Sequence, residues 1–311
     1  MDYERRDADF ESNDTRCAAW LYEPADVEDP PVIVMAHGFG GEREARLPAF
    51  AERFAEAGMA ALLFDYRGFG DSDGDPAHVV SGRRHVADYL AALDHVRSLD
   101  AVDGERVGLW GTSFSGGHVI RTAARDGDVD AVVAQVPFTD GLRNAVHLLR
   151  QGGLDYLVGA TTSILQESVR VLTARDPHYV PIVADPDEFG VLNTPDAKPG
   201  YYSLIPDGRA EDFDNECAAR ILATVAFYRP VTAAGDVDCP VYVAEATEDS
   251  IIPSSTVDAL VQRLDHVERE RFPAGHFDPY TGALFETVVT SERTFFEREL
   301  GQVRAIRKVK D

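Results

Sequence analysis

Short, mostly apolar runs alternate along this chain with stretches whose hydrophobic residues recur at helical spacing. A strand buried on both faces has such an uninterrupted apolar run, whereas a surface helix shows one apolar stripe. The alternation therefore predicts a mostly parallel central sheet covered on both sides by helices. The five clearest strand candidates are residues 32–36, 60–64, 107–110, 129–136 and 241–244.

Residues 105–117 contain a strand, a very tight turn and the start of a helix in direct succession. The apolar run 107–110 leads into Gly111-Thr112-Ser113, and small residues follow at once. Such a turn lifts a serine hydroxyl above the sheet and places the next residue's N–H beside it. Ser115-Gly116-Gly117 also ends in glycine, so Ser115 stays open as an alternative nucleophile, although the strand register favours Ser113.

Two later loops carry the other groups that a serine nucleophile requires. Asp249 and His276 both follow strands of the resumed strand–helix series, where parallel strands bring their carboxyl ends to one edge. A base must reach the hydroxyl, and a carboxylate must hold the tautomer of that base. The order Ser, Asp, His fits this requirement. Asp140, which follows the strand ending at Val136, is the alternative acid.

Residues 138–235 interrupt the strand–helix alternation. Helices are predicted over 139–151, 154–174 and 211–227, with a proline-rich irregular stretch between the second and the third. The segment is too apolar for a disordered linker. It predicts a helical cap inserted between two parts of an α/β core, residues 1–137 and 236–311. An N-terminal hairpin around Asn13-Asp14 and a frayed basic end at residues 304–310 complete the prediction.

The charge balance is strongly acidic. The 54 Asp and Glu residues against 30 Lys and Arg give a formal net charge of −24, and lysine occurs only at Lys198, Lys308 and Lys310. An acidic surface disfavours nucleic acids and anionic membranes as partners.

No run is apolar enough to span a bilayer, and no signal peptide is recognised. Three widely spaced cysteines fit a reducing cytoplasm, and no histidine spacing implies a metal. We therefore predict a cytoplasmic protein without cofactor, metal, nucleic acid or membrane partner; the oligomeric state is left open.

The dispersed acidic charge resembles that of proteins from salt-accumulating halophiles. At about 1 M salt the screening length falls to about 3 Å, which removes most self-repulsion within the chain. We expect stability and activity to rise with KCl to molar concentrations, measured by thermal unfolding and by initial rates across a KCl series. Maximal activity in salt-free buffer would contradict this expectation.

Five segments stand out along the chain: HGFGG (37–41), DYRGFGDSDG (65–74), GTSFSGG (111–117), ATEDSIIP (246–253) and GHFDPY (275–280). In this order and spacing they resemble those of α/β-hydrolase-fold serine hydrolases across nearly the whole chain. Within residues 138–235, Thr194-Pro195-Asp196, Asn215-Glu216 and Tyr228-Arg229-Pro230 stand out. The segment that contains them resembles a prokaryotic branch grouped with serine aminopeptidase-like or X-Pro peptidase-like hydrolases, a grouping that does not establish peptidase activity.

The resemblance implies a role for each site residue. Ser113 is the implied nucleophile, Asp249 the acid and His276 the base, while the backbone N–H groups of Phe39 and Phe114 form the implied oxyanion hole. Two positions depart from the family pattern, since Ser115 and Ala246 stand where glycine is usual. His37 is expected to order the oxyanion loop, and Asp65 and Arg67 to hold neighbouring loops.

The predicted function is hydrolysis of a carboxylic ester, or a related acyl bond, of a small-molecule substrate through an acyl-enzyme. An exopeptidase and a C–C bond hydrolase on the same three residues are the alternatives within enzymes. A non-catalytic binding module on the fold is the alternative of another class. Haloalkane dehalogenases and epoxide hydrolases are disfavoured because those relatives need an Asp where Ser113 stands.

Overall fold

An eight-stranded sheet forms the centre of the protein in the computed structural model, which describes residues 1–301. Its strand order is β1-β4-β6-β5-β7-β8-β11-β12. The pairs from β6 to β12 are parallel, whereas β1 and β4 run antiparallel at one edge. The strands are β1 (Tyr3–Asp7), β2 (Phe10–Ser12), β3 (Thr15–Cys17), β4 (Ala19–Pro24), β5 (Pro31–Ala36), β6 (Ala60–Phe64), β7 (Asp103–Thr112), β8 (Ala131–Gln135), β9 (Tyr179–Val180), β10 (Cys217–Ala218), β11 (Val241–Ala246) and β12 (Val267–Phe272).

Helices cover both faces of the sheet, as the sequence predicts. α1 packs with α8 on one face, and α2 packs with α3 on the other. Strands β5, β6 and β8 are buried at every residue, which explains why all of their residues except Gln135 are apolar. The helices are α1 (Pro48–Glu56), α2 (Gly82–Arg97), α3 (Phe114–Asp126), α4 (Gly141–Leu172), α5 (Ala197–Tyr202), α6 (Arg220–Thr224), α7 (Ser254–Val261) and α8 (Gly282–Leu300). Within residues 1–301, none of them is both long and apolar enough to cross a bilayer.

The segment between β8 and β11 agrees with the sequence prediction in its first half only. α4 is interrupted at Gly153, which has φ 61° and ψ −146°, so the helices predicted on either side of this residue are confirmed. The helix predicted over 211–227 is wrong in its first half. There β10 pairs with β9, and the Asn215 carboxamide bonds both the N–H and the carbonyl of Val183. The division at residues 138 and 235 remains a prediction.

The N-terminal hairpin prediction is confirmed and refined. β2 pairs with β3 around Asn13 and Asp14, which both have positive φ, and β1 pairs with β4 outside this hairpin. The predicted basic end at 304–310 lies outside the described residues.

Glu292 of α8 is a buried carboxyl beneath the sheet. Trp110 of β7 donates its indole N–H to Glu292 Oε2 at 2.9 Å. Burial raises the pKa of Glu292 from 4.5 to about 8 despite this hydrogen bond. In the unfolded chain the carboxyl would ionise near its ordinary value, so between about pH 4.5 and pH 8 the folded state binds more protons. Glu292 therefore lowers the stability of the protein as pH rises through this window.

The Glu292→Gln variant is expected to be more stable than the wild type at pH 8, by about 2–4 kcal/mol, because the amide needs no proton. The advantage should shrink towards pH 5, where the wild-type carboxyl is protonated in the fold. Urea unfolding of both proteins at the two pH values measures this difference. An advantage that is equal at pH 5 and pH 8 would contradict the assignment.

Candidate active site

Ser113 occupies a strained turn between β7 and α3. Its φ of 54° and ψ of −118° are unusual for a residue with a side chain, and its N–H bonds the carbonyl of Gln135 at 2.9 Å. Gly111 permits this turn, because a Cβ there would lie 2.4 Å from the carbonyl oxygen of Ser115. The strand, tight turn and helix predicted at residues 105–117 are thereby confirmed.

His276 lies between Ser113 and Asp249. Its Nε2 is 3.0 Å from Ser113 Oγ, and its Nδ1 is 2.6 Å from Asp249 Oδ2. The side chains of His276 and Asp249 are each only 3% exposed. Asp249 Oδ1 accepts the N–H groups of Ile251 and Ile252, both at 2.8 Å, so its two oxygens have separate partners. A hydroxyl, an imidazole and a carboxylate thus form one hydrogen-bonded chain.

The His37–Gly41 loop lies directly over Ser113. A Cβ on Gly38 would be 3.6 Å from Ser113 Oγ, and the Phe39 ring packs edge-on against Phe114 at 5.4 Å. Phe114 is the first residue of α3, so its N–H has no acceptor within the helix. The residues predicted to donate to an oxyanion therefore lie beside the serine.

His37 is placed to support this loop. Its Nδ1 lies 3.1 Å from the Gly38 carbonyl oxygen, and burial lowers its pKa to about 3. The imidazole is therefore neutral at physiological pH, in line with the predicted ordering role. The Tyr201 hydroxyl of α5 adds a second contact by donating to the Phe39 carbonyl at 3.0 Å.

The two alternative residues have other partners. Ser115 is fully buried; its Oγ donates to the Ala36 carbonyl and accepts the Thr112 N–H, both at 2.8 Å. Its hydroxyl thus ties the turn to β5. Asp140 caps the N-terminus of α4 and pairs with Arg229 at 2.9 Å. Burial alone would raise the pKa of Asp140, but the Arg229 hydrogen bond holds it below its usual range.

Asp65 and Arg67 both pair with residues outside their own loop. Asp65 accepts the backbone N–H and the guanidinium of Arg43, both at 2.6 Å. Arg67 donates to Asp88 of α2 at 2.5 Å. The first pair joins two loops, as predicted, whereas the second joins a loop to α2. Among the described residues, neither pair is hydrogen-bonded to Ser113 or His276.

The sequence did not reveal the contacts between the loop that carries Asp249 and residues 138–235. Ser250, next to Asp249, donates its hydroxyl to Asp196 at 2.5 Å, and its carbonyl accepts from His147 at 2.9 Å and Gln151 at 3.0 Å. These three partners belong to residues 138–235. Thr194-Pro195-Asp196 does stand out in the sequence as part of the family resemblance, but its partner cannot be identified from the sequence.

Two cavities meet at Ser113. The larger, of about 190 Å³, is bounded by the first half of α4, by α6 and by Phe39, Phe114 and Phe138. Its lining is mostly aliphatic and aromatic. The smaller, of about 40 Å³, is lined by His276, Tyr201 and Tyr280, among others. His276 borders only the smaller cavity, whereas Phe39, Ser113 and Leu192 line both.

The chain matches a known family over its first half. The family model described as "Serine aminopeptidase, S33" matches residues 28–173. The quorum-quenching protein AidA of Acinetobacter baumannii (strain MDR-ZJ06) is 39% identical over 297 residues, covering 94% of each chain. A 31.7 kDa protein from the traX-finO intergenic region of Escherichia coli is 30% identical, covering 87% of this chain and 91% of its own.

The fold has solved counterparts. The crystal structure of the α/β hydrolase GrgF from Penicillium sp. sh18 superposes with a TM-score of 0.78 at 20% identity, covering 96% of this chain and all of that one. This likeness confirms the predicted fold class, and the family match over residues 28–173 confirms the predicted relationship to serine aminopeptidase-like hydrolases. The chain therefore belongs to the α/β-hydrolase family and is an enzyme of the α/β-hydrolase type, related to the serine aminopeptidase-like hydrolases.

Proposed function

We propose that the protein hydrolyses carboxylic esters with an apolar acyl group, using Ser113 as nucleophile. The observation that carries the proposal is the hydrogen-bonded chain from Ser113 Oγ through His276 to Asp249, which lies beside an apolar cavity. A serine hydroxyl becomes a competent nucleophile when an adjacent base takes its proton.

Acylation begins when His276 Nε2 accepts the proton of Ser113 Oγ while the oxygen attacks the ester carbonyl. The Oγ–C bond forms, and the carbonyl oxygen takes up the negative charge. His276 then gives its proton to the alcohol oxygen as the C–O bond breaks. Asp249 accepts the Nδ1–H throughout, which fixes the tautomer and stabilises the imidazolium.

Deacylation repeats these steps with water. His276 Nε2 takes a proton from the water that attacks the acyl-enzyme, and then returns a proton to Ser113 Oγ as the free acid leaves. The N–H groups of Phe39 and Phe114 stabilise the oxyanion in both halves of the reaction. Loss of one such donor costs roughly 3–4 kcal/mol of transition-state stabilisation.

The two cavities support an assignment of the two halves of the ester. His276 protonates the leaving alcohol, and it borders the 40 Å³ cavity. The acyl group then occupies the 190 Å³ apolar cavity, roofed by α4 and α6 of the proposed cap. The preferred substrate is therefore an ester of a sizeable acyl group and a small alcohol.

An exopeptidase is the main competing enzyme. Such an enzyme needs a carboxylate to bind the free amino terminus of its substrate. Among the described residues, neither cavity at Ser113 is lined by Asp or Glu. This absence favours an ester.

Comparing p-nitrophenyl acyl esters with aminoacyl-p-nitroanilides in molar KCl tests the proposal. We expect hydrolysis of the esters, with a rate that rises with acyl chain length until the cavity is filled. Faster cleavage of the anilides would contradict the ester assignment and favour the peptidase.

The name of the A. baumannii relative favours a biological role for the same chemistry. The two proteins are 39% identical over 94% of both chains. A signalling molecule with an acyl-ester bond is therefore a second candidate substrate. Treating a signal-containing culture extract with wild type and Ser113→Ala, followed by a reporter-strain assay, tests it. Equal signal loss with both proteins would exclude this role for the site.

A further inference from the structure

Asn144 is a buried polar side chain in the wall of the apolar cavity. It is 4% exposed and lies on α4, one turn before Leu148. Its backbone N–H bonds the Asp140 carbonyl in the helix. Its side-chain carboxamide has no hydrogen-bond partner among residues 1–301, and the Asn144 side chain borders the cavity.

The other polar side chains of this lining are already engaged. The Tyr156 hydroxyl donates to the Val191 carbonyl at 3.0 Å, and Ser113 bonds His276. A carboxamide offers two donors and an acceptor, and an apolar chain packed against it would leave these groups without partners at a cost of about 1–3 kcal/mol. Asn144 is not needed to cap the N-terminus of α4, because Asp140 already does so. Leucine or methionine would fill the site at no such cost.

Asn144 is the first residue of α4 in the cavity lining. Phe138 donates its N–H to the Ser113 carbonyl at 2.8 Å, and α4 begins three residues later. The purely apolar part of the α4 lining, from Leu148 to Ala160, follows Asn144 along the helix. Along the chain, Asn144 thus lies between the segment bonded to Ser113 and the apolar α4 residues of the lining.

We propose that the Asn144 carboxamide hydrogen-bonds a hydroxyl or keto oxygen on the acyl chain, close to the reacting carbonyl. The substrate class is then an ester of an oxygen-substituted acyl group with an apolar tail. This inference rests on the proposed ester hydrolysis and adds a specificity residue to it. A site built to bond a substrate oxygen discriminates against the analogue that lacks it, because the carboxamide then stays unpaired.

Kinetics with four ethyl esters tests the proposal: decanoate, 3-hydroxydecanoate, 3-oxodecanoate and 9-hydroxydecanoate, followed by acid release. The wild type should show a kcat/KM for the 3-substituted esters roughly three- to tenfold above that for decanoate. The 9-hydroxy ester should show no such gain. In Asn144→Leu, which keeps the size of the side chain, the preference for the 3-substituted esters should disappear.

Leu148→Met is the matched control, because it changes the same cavity wall one turn further on with little change in volume. Its ratio of 3-substituted ester to decanoate should stay within about twofold of wild type. Asn144→Ala replaces Asn144→Leu if thermal unfolding shows that the latter does not fold.

The two proposals fail differently. If the wild type hydrolyses decanoate but the ratio is unchanged in the Asn144 variants, the oxygen site is wrong and ester hydrolysis stands. If the wild type hydrolyses none of the esters, the proposed function itself is wrong.

Discussion

Replacing Ser113 with alanine is expected to lower kcat for ester hydrolysis by roughly 10⁵- to 10⁶-fold. The loss is large because the covalent route needs an oxygen at this position, and the oxyanion donors alone give only a small residual rate. Binding of a non-hydrolysable substrate analogue should change little, because the cavity wall is retained. Initial rates with a p-nitrophenyl ester, together with analogue binding by calorimetry, measure the two effects.

Ser115→Ala is the matched control for this substitution. It removes the hydroxyl that bonds the Ala36 carbonyl and the Thr112 N–H, so the loss falls mainly on the free energy of unfolding, by about 1–3 kcal/mol. The rate should remain within about tenfold of wild type at a temperature where the variant is folded. An active Ser113→Ala beside a folded but inactive Ser115→Ala would reverse the assignment of the nucleophile.

Replacing Asp249 with asparagine is expected to lower kcat by about 10³- to 10⁴-fold. Asparagine keeps the shape, but its amide can donate to His276 Nδ1 and so favour the wrong imidazole tautomer. The Asp249 hydrogen bonds to Ile251 and Ile252 can survive through the remaining oxygen, which limits the effect on folding. Rates and thermal unfolding of the variant separate the chemical loss from a structural one.

Asp140→Asn is the control for the acid, because Asp140 is the alternative carboxylate at a strand end. Its oxygens bond Arg229 and the N-terminus of α4, so the change should lower stability by about 1–2 kcal/mol. Activity should stay within about tenfold of wild type. A larger rate loss from Asp140→Asn than from Asp249→Asn would show that the wrong acid has been assigned.

The sequence could predict the sheet and the meeting of Ser113, Asp249 and His276, although 163 residues separate the serine from the histidine. Each of these residues follows an apolar run, and parallel strands bring their carboxyl ends to one edge. The local hydrophobic pattern therefore predicts which distant residues meet, because the fold repeats a strand followed by a helix.

The contacts of residues 138–235 could not be predicted in the same way. Asn144, Tyr201 and Asp196 each act through a partner or a cavity that is distant in sequence, and no periodicity identifies it. The helix predicted over 211–227 is wrong in its first half for the same reason. Asn215 is held by Val183, and such a side-chain bond competes with local helix formation.

Labelling with a fluorophosphonate, followed by peptide mass spectrometry, tests the central claim most directly. We expect one adduct, on Ser113, which forms in wild type and in folded Ser115→Ala but not in Ser113→Ala. An adduct on Ser115, or undiminished labelling of Ser113→Ala, would contradict it.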